Sequence, residues 1–492
     1  MKQGISRREF LKQSAVASAL YSIPHLNAHG AKAEPLKPAA APKKIIIIGA
    51  GLAGLSAAYE LTQAAHDVTI LEARTRAGGR VCTLREPFSD GMYAEAGAIY
   101  VPDHHDWTMR YIKLFDLSLD TVVPRDLASI FHVRGKRIEA KRGQTIEWPL
   151  DLTAEEKKLG RFGMWEKYIG ATLKGISNAA APDWPPDSLK EYDRVTFSEF
   201  LRKQGASPDA VALLRLGYPD LWGDGVDSVS ALGLLRDLAL GRDAKQTYTI
   251  RGGSDLLPKA FAARLTDKIC YGAPVVKIEH NAQGVRVVYL QAGAHKTIAA
   301  DHLICAVPFS VLRHIEISPR FSPEKERAIE QLPYTSVARV YLQTKKKFWL
   351  NEGLTGQAST DLPIMSIYDR TVNQPGTRGI LESYMAGPQA RRATAMKGSE
   401  RVSFTLEQME KVHPAIRENF EGGASKCWDE DEWARGDYAW FKPGQMSSLL
   451  PHVARSEGRI HFAGEHASAW PGWMQGALES GNRAAREINE AP

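Results

Sequence analysis

What the chain lacks narrows its function first. Cysteine is scarce: Cys82, Cys270, Cys305 and Cys427 lie far apart and form no C-x-x-C pair. That argues against a zinc site or a dithiol redox motif; buried free thiols, or one disulfide in an oxidising compartment, are the readings left. No stretch approaches the roughly 18 unbroken apolar residues of a membrane-spanning helix. An excess of charge is missing too. Of the formal +6, residues 1–33 hold five Lys/Arg against one Glu, and the remainder balances at 58 minus 56, or +2, which makes no electrostatic case for nucleic acid or an anionic membrane. Low-complexity tracts and internal repeats are absent, as are Ser-His-Asp and H-E-x-x-H arrangements. The acidic run Asp429 to Glu432 reads as a solvated turn rather than a metal site. What remains is an ordinary globular composition over 492 residues, 43% apolar and 24% charged, enough for two or three domains with ample core.

The stretch KKIIIIGAGLAGLSAAYELTQAAHDVTILEARTRAGGR, residues 43–80, organises the rest. Ile45 to Ile48 are a continuous β-branched run, suited to a parallel strand buried on both faces. Gly49, Gly51 and Gly54, with Ala53 among them, fit G-x-G-x-x-G, and Leu55 to Ala64 have the spacing of a helix. The first glycine permits the turn, the second lets a pyrophosphate approach the backbone, and the third lets helix and strand pack closely. The helix start offers free N–H groups and a positive dipole end. Val68 to Leu71 form a second strand that ends in Glu72, 18 residues after Gly54. A carboxylate there accepts from both ribose hydroxyls and repels a 2′-phosphate. The order of strand, helix, strand and acid makes this a dinucleotide site.

Beyond Glu72, the residues Ala73, Arg74, Gly78, Gly79 and Arg80 resemble the second phosphate-binding stretch of the flavin amine oxidase family, E-A-x-x-x-x-G-G-R. The resemblance implies FAD rather than NAD, with Arg80 against the pyrophosphate and ribityl region; a glycine turn with a surface arginine is the plainer alternative. It also implies an α/β fold: a discontinuous Rossmann-type FAD-binding domain over 43–106, 245–320 and 453–492, a helical insert over 107–244 roofing the substrate channel, and a mixed-sheet substrate domain over 321–452.

Residues 1–33 read as an address. Ser6-Arg7-Arg8-Glu9-Phe10-Leu11-Lys12 is similar to the twin-arginine export motif, the mildly apolar Ala15 to Leu26 follows, and Ala31-Lys32-Ala33 offers small residues for cleavage; a basic tail is the alternative. Residues 34–42, EPLKPAAAP, form a linker. A folded, cofactor-loaded protein delivered to the periplasm or outside is the expectation, with the twin-arginine machinery as partner and a homodimer as the candidate assembly.

The remaining motifs follow the family in chain order. Gly97 and Ala98 lie in a stretch that resembles bacterial L-amino-acid oxidases, where an arginine two residues on clamps the substrate carboxylate. Here Tyr100 takes that place, as in monoamine oxidases. The clamp therefore needs another cation. His104 and His105 read as exposed histidines at a helix start, with substrate contact as the alternative. Val275, in a strand, matches a valine whose backbone meets the adenine. Val337 to Leu342 alternate like a half-solvated strand. A lysine that most relatives carry there, ten residues before Trp349, is replaced by Arg339. Arginine is bulkier and stays charged, which implies altered handling of oxygen or a hold on a substrate acid; an outward-facing arginine is the other reading. Tyr368 matches a substrate-facing tyrosine. Trp433 belongs to a W-x-x-x-x-W stretch beside the flavin, and Asp437 stands where monoamine oxidases have the cysteine bonded to it, so FAD is expected to be non-covalent. Gly464 and Glu465 precede a helix from about Met474, whose N–H groups would hold the flavin carbonyl while Glu465 accepts from ribityl or ribose hydroxyls. Trp470, Gly472 and Trp473 would approach the substrate.

The chemistry this implies is flavin-dependent oxidation of a C–N bond in an L-amino acid or related amine to an imine, with oxygen or a redox protein as acceptor. An aromatic slot orients the amine and disfavours its charged form, so no strong base is needed. Arg339, Trp473 and Tyr100 are the residues taken to carry it.

Overall fold

The computed structural model describes residues 36–491 apart from 40, 124–125, 142 and 182, so the twin-arginine segment lies outside the described residues. Ile45 to Ile48 are buried and form the middle of a five-stranded parallel sheet. Its order is Ile269–Cys270, Asp67–Leu71, Lys44–Ile48, His302–Cys305, Ile460–Phe462. Ile45 and Ile47 pack into one hydrophobic cluster and Ile46 and Ile48 into another, so both faces of the strand are buried and the β-branched run shows no alternation. The helix Leu52–Gln63 covers one face, and the C-terminal helix Met474–Glu490 packs against it. That packing leaves no room for side chains: a Cβ on Gly481 would fall 2.3 Å from the Ala53 carbonyl oxygen. The architecture is α/β and Rossmann-type, as the glycine motif implies.

A second sheet of four strands, Ala294–Ala300, Val285–Gln291, Val275–His280 and Glu316–Ser318, flanks the first. The third is mixed and seven-stranded, in the order Phe420–Cys427, Val337–Thr344, Gly379–Ala386, Ser366–Asp369, Leu354–Thr360, Ala128–Val133, Lys136–Ala140. Two of those strands come from the segment expected to be helical. The hairpin Ala128–Val133/Lys136–Ala140 turns at Arg134 and Gly135, both at positive φ (47° and 76°), which is the backbone a two-residue hairpin needs. The rest of 107–244 is mostly helical, with Ala154–Trp165, Phe197–Lys203, Pro208–Arg215 and Ala231–Gly241 around Met164, Phe200, Leu213 and Leu234.

The strand Val337–Thr344 departs from its expected half-solvated character: all eight residues are buried. Ala338, Val340 and Leu342 face a core that includes Leu406 and Met409 of the helix Gly398–Glu410. Arg339 and Tyr341 point instead to the carbonyl of Glu95, and Gln343 to Ser89. The alternation marks a buried polar site on one face, where periodicity alone suggested water. All four cysteines are free thiols, with Cys305 and Cys427 buried.

Candidate active site

The carboxyl ends of the parallel strands build the first half of the site, where a doubly wound sheet binds its ligands. Gly49 turns at φ +100° with its N–H on the Leu71 carbonyl at 2.8 Å. A Cβ on Gly54 would lie 2.0 Å from the Gly49 carbonyl oxygen, whereas one on Gly51 would meet nothing within 4 Å. The third glycine is thus closed by packing and the second open to a ligand. No side chain caps the helix at Gly51, so its first N–H groups are free for a phosphate. These features fit a dinucleotide pyrophosphate. Glu72, at the end of the second strand, accepts from the N–H of Ala50 at 2.6 Å and of Arg74 at 2.8 Å. Burial lifts its pKa above the usual carboxylate range, and those two N–H groups oppose the rise.

The neighbouring stretches converge on this turn. Gly78 bridges to Gly51, and a Cβ on Gly79 would sit 3.5 Å from the Gly51 Cα. Ala73 and Ala98 are half-buried along the same edge. Gly97 packs so tightly that a Cβ would fall 1.6 Å from the Arg80 carbonyl oxygen. Val275 is carried to the end of the second strand by the N–H of Ala273 on the Glu72 carbonyl at 2.9 Å.

Three residues expected on the cofactor also have partners within the protein. Arg74 pairs with Asp431, which also takes Lys426 at 2.6 Å and is drawn down to about 2: burial opposes ionisation, and the two cations outweigh it. Asp431 is buried, so the acidic run is not simply a solvated turn. Trp433 lies on the turn that Asp431 holds, its N–H 3.1 Å from that carboxylate, and shares no ring contact with the other site aromatics among the described residues. Glu465 accepts from Arg80 at 2.7 Å and from the N–H groups of Gly472 at 2.8 Å and Ala439 at 3.4 Å. Its recorded partners fix the Gly472 loop, where a flavin hydroxyl was expected. Arg80 also reaches the Asp437 carbonyl and lies over the Tyr334 ring, so it is no surface arginine.

The C-terminal loop and helix supply an aromatic wall. Gly464 turns at φ +138° with its N–H 2.9 Å from the Ser480 hydroxyl. The helix Met474–Glu490 starts after Trp473 with no side-chain cap. Gly472 faces the paired rings of Trp222 and Tyr438, whose atoms would lie 3.5 and 3.4 Å from a Cβ there. His105 packs edge-on to Trp470 and Trp473, 5.0 Å from each. It is buried rather than exposed, and burial, then His104, holds its pKa well below the usual histidine range. His104 sits 5.5 Å from Trp470. Trp473 donates from Nε1 to Asp237 at 3.2 Å.

A polar wall from the seven-stranded sheet stands opposite. Arg339, only 5% exposed, donates to the Glu95 carbonyl at 3.1 Å, lies over the Tyr384 ring and places Nε 3.6 Å from Glu382. The outward-facing reading of Arg339 therefore fails. Arg370 pairs with Glu382, donates to the Tyr100 hydroxyl at 2.9 Å and lies over the Tyr368 ring at 4.6 Å. Burial works against both guanidinium charges, but Glu382 and the surrounding tyrosines hold them protonated. Asp437 is pushed up to about 6 by burial, against the pull of Arg339 and Arg80. The structure thus joins Arg339, Tyr100 and Tyr368 through Arg370 and Glu382, two residues that the sequence reading missed. It also missed Tyr218, Trp222, Asp237, Tyr384 and Tyr438. One visible signal was the adjacent Arg236-Asp237 pair inside the otherwise apolar helix ALGLLRDLALG.

A Rossmann-type glycine turn, an aromatic C-terminal loop and an arginine-lined wall from the seven-stranded sheet fit a flavin oxidoreductase. The chain belongs to the family of flavin containing amine oxidoreductases, whose model it matches over residues 52–489. It is 34% identical over 466 residues to the protein YobN of Bacillus subtilis (strain 168), covering 92% of this chain and 95% of that protein. To the L-amino-acid oxidase of Gloydius blomhoffii it is 31% identical over 472 residues, covering 93% and 91%. Its fold resembles cyclohexylamine oxidase from Brevibacterium oxydans IH-35A (TM-score 0.79, 22% identity, 92% and 99% covered). It resembles putrescine oxidase bound to putrescine similarly (TM-score 0.77, 23% identity, 91% and 99% covered). The chain is an enzyme of the flavin amine oxidase and L-amino-acid oxidase type.

Proposed function

We propose that this enzyme holds FAD non-covalently and oxidises the C–N bond of an L-amino acid to an imine, which water hydrolyses to a keto acid and ammonia. The observation that carries the amino-acid reading is the Arg370–Tyr100 hydrogen bond of 2.9 Å. It sets a guanidinium beside the position where the L-amino-acid oxidase pattern has its arginine, and Arg339 adds a second cation in the same wall.

FAD, once bound, supplies the two-electron acceptor for the α-hydrogen, and oxygen takes the electrons on to hydrogen peroxide. The chain's own part is binding and exclusion of water. Glu72 and the Gly49–Gly54 turn would hold the ribose and pyrophosphate, and N–H groups at the start of the Met474–Glu490 helix would meet negative charge on the ring. Arg370 and Arg339 take the substrate carboxylate, with Glu382 balancing one of their charges. The rings of Trp473 and Tyr438 orient the amine and, being poorly hydrating, favour its neutral form, whose lone pair assists the loss of the α-hydrogen. Asp437, held beside Arg80, offers no thiol for a flavin bond.

The test is anaerobic stopped-flow flavin bleaching with L-amino acids and their decarboxylated amines. Faster bleaching by the amino acids is the expected result; faster bleaching by the amines overturns the carboxylate reading. A second reading, a dehydrogenase passing electrons to a redox protein, draws on Arg339 in place of the lysine; peroxide formed in less than stoichiometric yield would favour it. We also propose export through the twin-arginine route to the periplasm or beyond, tested by fractionating cells that express the wild type and R7K/R8K.

A further inference from the structure

Some buried acids of the site are paired with cations, whereas Glu72, Glu95, Asp437 and Asp237 make no ion pair among the described residues. Glu382 has Arg370, Asp431 has Arg74 and Lys426, and Glu465 has Arg80. Asp237, 7% exposed on the helix Ala231–Gly241, makes no ion pair among the described residues. Its recorded partners are the Tyr218 hydroxyl and the Trp473 indole N–H. Both donate, so the carboxyl group acts as an acceptor on both oxygens, as an ionised carboxylate does. The adjacent Arg236 turns away, with Nε on the Ala179 carbonyl at 2.8 Å and its guanidinium 4.3 Å from the Trp184 ring centre. His105, beyond Trp473, is kept neutral by burial. A buried carboxylate without a counter-charge is costly unless a ligand brings one.

The surroundings suit such a ligand. Tyr218, Tyr368 and Tyr384 are half-buried, and burial lifts all three phenol pKas. Tyr368 and Tyr384 act electrostatically on Tyr218, and the same two rings carry Arg370 and Arg339 on their faces. Half-buried tyrosine rings therefore link the two guanidinium groups to the neighbourhood of Asp237.

We propose that Asp237 and the rings of Tyr218 and Trp473 form a subsite for a second basic group, so that the substrate is a basic L-amino acid such as L-lysine, L-ornithine or L-arginine. This rests on the amino-acid reading above. The α-carboxylate meets Arg370 and Arg339, and the side-chain ammonium or guanidinium meets Asp237 and the aromatic faces. Burial pushes the Asp237 pKa up to about 6, opposed by its two donors, so the group is charged at neutral pH.

The experiment uses two matched pairs on the FAD-loaded enzyme, L-lysine against L-norleucine and cadaverine against pentylamine, with wild type and Asp237→Asn. Within each pair the basic partner should have a kcat/KM higher by about tenfold or more, the scale of one desolvated ion pair. Asn should abolish that preference. Comparison across pairs reports the carboxylate instead, so the two readings fail separately. A readout without turnover is thermal stabilisation by 5-guanidinopentanoate against pentanoate, which should favour the guanidino acid in wild type and neither ligand in Asp237→Asn. The proposal is overturned if norleucine matches lysine in the wild type, or if Asn slows all four substrates equally, which would make Asp237 a positioning residue for Trp473.

Discussion

Removing the Glu72 carboxylate should separate two jobs that one side chain performs. It holds the Gly49–Ala50 turn through the N–H groups of Ala50 and Arg74, at 2.6 and 2.8 Å, and we propose that it also accepts from the FAD ribose. Hydrogen bonds to a charged acceptor contribute about 1.5–3 kcal/mol each. Glu72→Ala leaves both N–H groups unpaired in a site only 5% exposed, but it also relieves the burial cost that lifts the Glu72 pKa. The net loss of apoprotein stability should be about 2–4 kcal/mol. For the cofactor, each lost ribose bond is about ten- to hundredfold in Kd, so Ala should weaken FAD by about 10²- to 10⁴-fold and purify largely colourless. Glu72→Gln keeps one acceptor and turns an amide N–H toward a backbone donor, so it should fall between. The assay is fluorescence titration of FAD into apoprotein, alongside thermal unfolding of the same apoprotein. An Ala variant that binds FAD within about threefold of wild type refutes the ribose role, even if the apoprotein is destabilised.

Three further outcomes are expected. Gly97→Ala places a methyl group 1.6 Å from the Arg80 carbonyl oxygen; it should cost at least about 1–3 kcal/mol and lower FAD occupancy, and a fully yellow variant with wild-type melting would count against the packing argument. Trp473→Ala should slow flavin reduction about a hundredfold while leaving FAD affinity nearly unchanged, checked by stopped-flow reduction and FAD titration. Glu95 is pushed up to about 7 by burial, from an ordinary 4.5. Its folded pKa is the higher one, so its contribution is complete below pH 4.5 and is lost as pH rises through 7. The loss should be about 3 kcal/mol and absent from Glu95→Gln; parallel melting-temperature profiles for the two proteins between these limits would refute it.

The glycine motif was legible because local geometry dictates it. A strand, a turn at positive φ and a helix start are encoded within a dozen consecutive residues, and Glu72 follows at a fixed reach. The hairpin Ala128–Val133/Lys136–Ala140 was also locally encoded, by the Arg134-Gly135 turn, but was overshadowed by the helical pattern around it. The polar wall was not locally encoded. Arg370 and Glu382 are ordinary residues of their strand and turn, and become a pair with Arg339 and Tyr100 only when Val337–Thr344 and Gly379–Ala386 lie side by side. Arg74 and Glu465 show the reverse problem. Their motif positions are local, but Asp431 and the Gly472 loop, hundreds of residues from Arg74 and Arg80, supply the partners of the charged groups.

The parallel sheet also has a consequence for how the protein is made. Its edge strand Ile460–Phe462 and the helix Met474–Glu490 leave a ribosome after every other strand of the sheet, and Lys43, just before the first strand, donates to the carbonyls of Ile488 and Ala491. Until synthesis ends, Leu303 to Cys305 have an open flank where Ile460–Phe462 will pair, and Gly481 has not yet closed over Ala53. Nascent chains therefore carry an unpaired apolar edge and an unfinished cleft. A chain terminated before Ile460 would lack both the edge strand Ile460–Phe462 and the helix Met474–Glu490 that packs against Leu52–Gln63.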